Sequence, residues 1–371
     1  MKWLLSFLLL CCAGTLQAQS FEDLATQAAA ARDANDVARA VQLYHKALDL
    51  NPRWQEGWWF TGTLLYDSDQ YVLARDAFRH FVDLNAQAAP GWGFLGLCEF
   101  ETGEYAKALG DIQRALSLGA QKEPQLGAVL LYHEALLLCV LGDFDKALQE
   151  YGELLHGDTR GGALNDGLLT SIGLAALRAR ILPKDVTADR RDLYLSAGKT
   201  ASLVLTGNYS GAESAFNDLL TKYPTTPNVH YMHGVYLLAR DPDAAFAEFK
   251  RELEISPSNT AADSMLAWGL LTRGDSEEAL PYARQLATAT PNAAFAEYLF
   301  GRALVETGEV QNGLAYLKRS EQADASNLDT HVSMAAAYSR LHEPEQARRE
   351  RDIALEMTKR RMKEAGPVAQ P

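Results

Sequence analysis

A recurrence at about 34 residues constrains this chain more than any other feature. Segments 21–54, 55–88 and 89–122 superimpose when displaced by that period. Small residues then fall in columns, Ala28 with Gly62 and Gly96, and Ala40 with Ala74 and Ala108. A third column is bulky and apolar: Tyr44, Phe78 and Ile112. Each period carries two stretches of helical periodicity, the pattern of a helical repeat array.

The columns have a physical reading. Helices that cross closely need small side chains where their backbones approach, and large ones fill the space on either side. Ala28 and Ala40 meet the first need, Leu24 and Tyr44 the second. Pro52 ends the second helix, because proline cannot continue one and favours an extended residue before it. One hairpin cannot bury its apolar face alone, whereas stacked neighbours can.

In these residues the chain resembles the tetratricopeptide repeat family. That motif has a bulky residue at position 4, small residues at 8, 20 and 27, an aromatic at 24 and proline at 32. In the first unit these are Leu24, Ala28, Ala40, Ala47, Tyr44 and Pro52. About nine units fit the template and cover most of the chain. The resemblance implies an all-α fold, a right-handed α-solenoid of stacked helical hairpins. It also implies a protein-binding scaffold whose first helices line the concave side.

Turns support the same frame. Gly103, Gly142, Gly207, Gly274 and Gly308 stand where glycine suits a helix C-terminus. Asp143, Asn208 and Asp275 directly follow three of them, placed to cap the next helix. The 130–140 stretch is almost wholly apolar and is expected to be buried on most sides or to line part of a groove. Glu252 occupies a position where a small residue is expected, so that contact is looser or the local frame differs.

The expected organisation is a signal peptide over 1–18, an N-terminal array over 19–158 and a degenerate repeat or connector over 159–192. A C-terminal array follows over 193–357, then a basic flexible tail over 358–371. The signal reading rests on Lys2, the apolar run 3–12 and a cut after Ala18. It implies export to the periplasm or the medium. The apolar run is too short to span a membrane. Membrane contact is therefore expected only if the signal is uncleaved, or if Cys11 or Cys12 is lipidated. Neither cysteine is preceded by the small residue such signals place there. Cys98 and Cys139 lie on apolar helical stretches, where buried free thiols are expected and a disulfide is the alternative.

The net charge of −13 argues against nonspecific nucleic-acid binding, which needs a basic footprint. Gly198-Lys199-Thr200 lacks the first glycine of a phosphate loop, since position 193 is leucine, and it lies in a helical pattern. His230 and His233 are one helical turn apart, as metal ligands are, but they fall on packing positions with no third ligand evident. Asn208-Tyr209-Ser210 is a glycosylation sequon in a turn. No catalytic constellation or cofactor motif stands out, so neither an enzyme nor a cofactor is expected.

The candidate partner-binding residues lie on the stripe at positions 2, 5, 9 and 12 of the first helices, one residue per turn on a common face. In the N-terminal half they are Trp59, Tyr66, Phe100 and Tyr132. In the C-terminal half they are Tyr231, Val235, Trp268, Phe295, Tyr298 and Arg302. Exposed aromatics and arginine are typical hot-spot residues. Ala25, Ala29, Trp59, Thr63, Gly93 and Leu97 do not match the Lys and Asn clamp by which some repeats of the family hold acidic chaperone termini. A peptide or amphipathic helix with an apolar face fits better. The alternative is a carrier for a small apolar ligand, a lipid or lipid-linked glycan.

Overall fold

The computed structural model describes residues 19–123, 125–157 and 165–364. The signal segment, Cys11, Cys12, the Gly161-Gly162 pair and residues beyond 364 lie outside that set. Among the described residues every regular element is helical, and no helix is long and apolar enough to cross a membrane.

The helices follow the repeat. In the N-terminal half they are α1 (Phe21–Asp33), α2 (Val37–Leu50), α3 (Gln55–Tyr66) and α4 (Tyr71–Leu84). Then come α5 (Ala89–Glu101), α6 (Tyr105–Ser117), α7 (Leu126–Leu141) and α8 (Phe144–Gly157). The chain continues through α9 (Asp166–Ala176), α10 (Ala188–Leu205), α11 (Tyr209–Lys222), α12 (Val229–Leu237) and α13 (Pro242–Ile255). It ends with α14 (Thr260–Arg273), α15 (Ser276–Ala289), α16 (Ala294–Glu306), α17 (Val310–Ala323), α18 (Leu328–Arg340) and α19 (Pro344–Glu364). Within each unit, helices that are neighbours in sequence pack against each other.

Local chemistry sets the boundaries. Ser20 opens α1 with a reciprocal capping box to Asp23. Asn208, Asp241 and Asn259 cap α11, α13 and α14 through their side chains. Asp275 does not cap α15, because Arg273 takes its carboxylate instead. All five turn glycines adopt positive φ, and Asn35, Asp69 and His342 fill the same place in other hairpins. The small-against-large columns meet as the pattern requires. A Cβ at Gly62 would lie 2.8 Å from the Phe78 ring, and one at Gly234 2.6 Å from Phe249. Glu252 is buried at its unusual position. It accepts from the backbone of Asn228 and Tyr231 and from the Asn259 side chain, so a polar network tightens a contact that was expected to be loose.

The chain divides into two compact units. The first holds the described residues of Met1–Ala163 with Ala179–Lys184, and the second those of Leu164–Arg178 with Asp185–Pro371. In the first, Cys139 Sγ donates to the Ala179 carbonyl and Leu182 packs into the core of α5–α7. In the second, Asn228 donates to the Leu177 carbonyl.

Within 159–192, α9 lies directly on α10. Gly173 and Gly198 sit where the two backbones touch, and a Cβ at Gly198 would stand 1.7 Å from the Leu169 carbonyl oxygen. Gly198-Lys199-Thr200 is thus a helix crossing. At the C-terminus residues 358–364 of the expected tail are helical. Helix α19 runs on to Glu364, because no glycine or proline interrupts it and Thr358 bonds back to Ala354.

Candidate functional site

In the first unit the stripe is drawn into an aromatic cluster. The Trp59 ring lies 5.7 Å from Phe78, 5.3 Å from Phe81 and 5.6 Å from Phe94. Tyr66 packs edge-on against Phe94 and Tyr71. Trp59, Tyr66 and Tyr132 are half-buried, and Phe100 is buried beside Tyr105 and His133. Phe100 therefore offers a partner no surface.

The second unit divides the stripe differently. Tyr231 is buried between the Arg178 guanidinium and Phe249, and Tyr298 is buried beneath Arg302. Both belong to the core, against expectation, because position 5 is covered within the stack. Val235, Trp268 and Phe295 stay exposed at 46%, 40% and 44%. Val332, at position 5 of the last described hairpin, is 53% exposed, since no described hairpin follows it. So α12, α14, α16 and α18, four successive first helices, each present one large apolar side chain on this stripe. Extending the position-5 count to the last repeat would have named Val332 from the sequence.

Beside Val332 lies a cavity of about 290 Å³ between α16 and α18. Tyr298, Arg302 and Glu306 line one side, Asp329, Val332, Ser333 and Arg340 the other. Arg302 is committed to the fold. It donates to Glu306 at 2.7 Å, to the Tyr298 hydroxyl at 3.2 Å and to the Leu271 carbonyl at 2.7 Å. Burial opposes its charge, but these bonds more than compensate and hold its pKa above the ordinary value. Arg340 donates to the Val305 carbonyl, and Glu306 also accepts from Ser276. Asp329 remains exposed at the rim. The cavity pairs two acids with two arginines, so its local charge is balanced.

His230 and His233 do meet a carboxylate, Glu248 on α13, which spacing along the chain did not reveal. His230 Nδ1 lies 2.5 Å from Glu248 Oε2 and His233 Nδ1 3.3 Å from Oε1. Burial raises the Glu248 pKa, but bonds to the two imidazoles outweigh it and leave the pKa below the usual range. The other nitrogen of His230, Nε2, faces the Pro224 carbonyl at 3.0 Å. Trp58 and Trp92 fill the same repeat position and donate their indole N–H to the Pro52 and Ala86 carbonyls. A ring nitrogen at position 4 thus anchors the turn before several first helices.

The tetratricopeptide repeat model matches residues 26–89, 62–123 and 264–327. The chain belongs to the tetratricopeptide repeat family. Tetratricopeptide repeat protein 21B of Xenopus laevis is 26% identical over 173 residues, which is 44% of this chain and 13% of that relative. Among solved structures, MamA 41-end from Desulfovibrio magneticus RS-1 is 19% identical and covers 45% of this chain and 95% of its own, with a TM-score of 0.41. YrrB, described as a TPR protein with an unusual peptide-binding site, is 19% identical over 43% of this chain and 82% of its own, with a TM-score of 0.40. The fold of this repeat protein is a series of helical hairpins, and the family is one of interaction scaffolds.

Proposed function

We propose that this chain is a non-enzymatic scaffold that acts outside the cytoplasm and captures a partner peptide or amphipathic helix on its first-helix face. One observation carries the reading: Val235, Trp268, Phe295 and Val332 are exposed apolar side chains, one from each of four successive first helices. An apolar ribbon from a partner would release water from those side chains, and Asp329 and Arg340 at the cavity rim would set its orientation. Arg302 acts indirectly, by fixing Tyr298 and Glu306. The extracytoplasmic location rests on residues 1–18 alone.

A carrier for an apolar ligand is less well supported. The cavity lies at the small end of ligand pockets, and charged groups line it. The test is capture from envelope extract by the parent chain and by a Val235→Ser/Trp268→Ser/Phe295→Ser variant. All three side chains are exposed, so helical circular dichroism is expected to persist. A protein held by the parent and lost by the folded variant supports the scaffold. Equal recovery by both overturns it.

A further inference from the structure

The last three helices bring together a histidine and two glutamates that the interaction face does not use. His331 on α18 and Glu350 on α19 are each more than nine-tenths buried, and Glu321 near the end of α17 is half-buried. One donor atom from each lies within 4.8 Å of the other two. His331 Nδ1 is 2.8 Å from Glu350 Oε2, and Nε2 faces the Ala325 carbonyl at 3.4 Å. That second contact matters. An Nε2–H donated to the carbonyl leaves the Nδ1 lone pair directed at the Glu350 carboxylate, the arrangement in which a ligating histidine is held by a backbone acceptor.

Charge sharpens the argument. No Lys or Arg forms an ion pair with Glu321 or Glu350 among the described residues. An earlier repeat supplies an internal comparison. Aligned on Gly234 and Ala335, His230 corresponds to His331, Pro224 to Ala325 and Leu220 to Glu321, and Glu248 corresponds to Glu350 once a one-residue gap is placed in the shorter turn at 241–243. There one carboxylate faces two imidazoles. In the last repeat two carboxylates face one imidazole. No Lys or Arg offsets these two carboxylates among the described residues, and charge left uncompensated in a largely buried place is costly.

We propose that Glu321, His331 and Glu350 form a binding site for a divalent transition-metal ion, with Zn²⁺ as the best match. Two carboxylates neutralise the ion, and the imidazole nitrogen favours zinc over calcium or magnesium, which take oxygen ligands. Three protein donors leave a coordination position for water. The donors come from α17, α18 and α19, so the ion ties the last hairpin to the one before it.

The experiment uses the full chain, stripped with chelator and titrated with ZnCl₂ against a chromophoric competitor. The parent is expected to bind one equivalent tightly. Glu321→Ala, which removes no hydrogen bond or ion pair among the described residues, is expected to weaken that binding at least tenfold. His230→Gln/His233→Gln should retain it. A nitrogen-resolved NMR spectrum of the histidine rings, assigned with His331→Gln, gives a second readout on the unmutated chain. There zinc must shift the His331 Nδ1 signal. Equal affinity in Glu321→Ala, no binding at micromolar zinc, or an unmoved Nδ1 signal would each overturn the site.

Discussion

Replacing Gly198 by alanine sets two effects of opposite sign against each other. Gly198 lies inside α10, where alanine is the better helix former by about 1 kcal/mol. Against this, the new Cβ would stand 1.7 Å from the Leu169 carbonyl oxygen and 3.0 Å from the Gly173 nitrogen. An ordinary carbon–oxygen contact is about 3.3 Å, so α9 and α10 must part by roughly 1.5 Å. Both obstacles are helix backbone, which no side-chain rotation can move. A gap of that size forfeits a large part of the dispersion contact along the crossing, where Leu169, Ile172, Tyr194 and Ala197 are buried. Overpacking costs about 1–3 kcal/mol, or more against rigid neighbours, so Gly198→Ala is expected to destabilise by a net ~2 kcal/mol or more. Gly110→Ala is the matched control, because Gly110 is exposed on α6 and a Cβ there meets nothing within 4 Å. It should stabilise by about 1 kcal/mol. Denaturant unfolding of both variants gives the signs, and hydrogen exchange resolved by peptide locates the loss in α9 and α10. If Gly198→Ala were as stable as Gly110→Ala, the close crossing would be refuted.

Asp263 is fully buried with neither carboxylate oxygen hydrogen-bonded, and burial pushes its pKa from 3.8 up to about 6. The folded chain holds that proton more tightly than the unfolded chain does. This contribution to stability is therefore present below about pH 4, is lost as the pH rises, and is gone above about 6. Asp263→Asn is expected to gain up to about 3 kcal/mol at pH 8 and nothing at pH 3.5, read from unfolding at the two values. A gain independent of pH would contradict this. Cys98 and Cys139 are buried free thiols pushed by burial up to about 12. Mass mapping after alkylation at pH 8 should find both unmodified in the native chain and both modified in denaturant. Arg79 is the cation that faces buried Glu99 and Asp111, at 2.5 and 3.2 Å. Burial, with Asp111 beside it, raises the Glu99 pKa to about 7, so Arg79→Met is expected to destabilise by about 1–2 kcal/mol at pH 9, where Glu99 is ionised, with the deficit shrinking as the pH falls and Glu99 takes up a proton. A constant deficit across pH would assign the loss to packing.

The sequence by itself determined the repeating hairpins, their glycine turns and the small-against-large columns. All of these are set by contacts within one or two periods, and such contacts leave their spacing in the chain. The stripe was legible as a spacing, but its exposure was not. Tyr231 and Tyr298 share the pattern of Trp268 and Phe295 and differ only in what the neighbouring repeats lay over them. Glu248 beneath His230, and Glu350 beside His331, face their partners across a hairpin, where no fixed helical offset announces the pairing. Gly198 read as part of a motif-like tripeptide until the approach of α9 gave it a role. Tertiary structure decided these points because burial, charge pairing and backbone contact depend on distances between helices. The sequence encodes those distances only through the summed packing of all the helices.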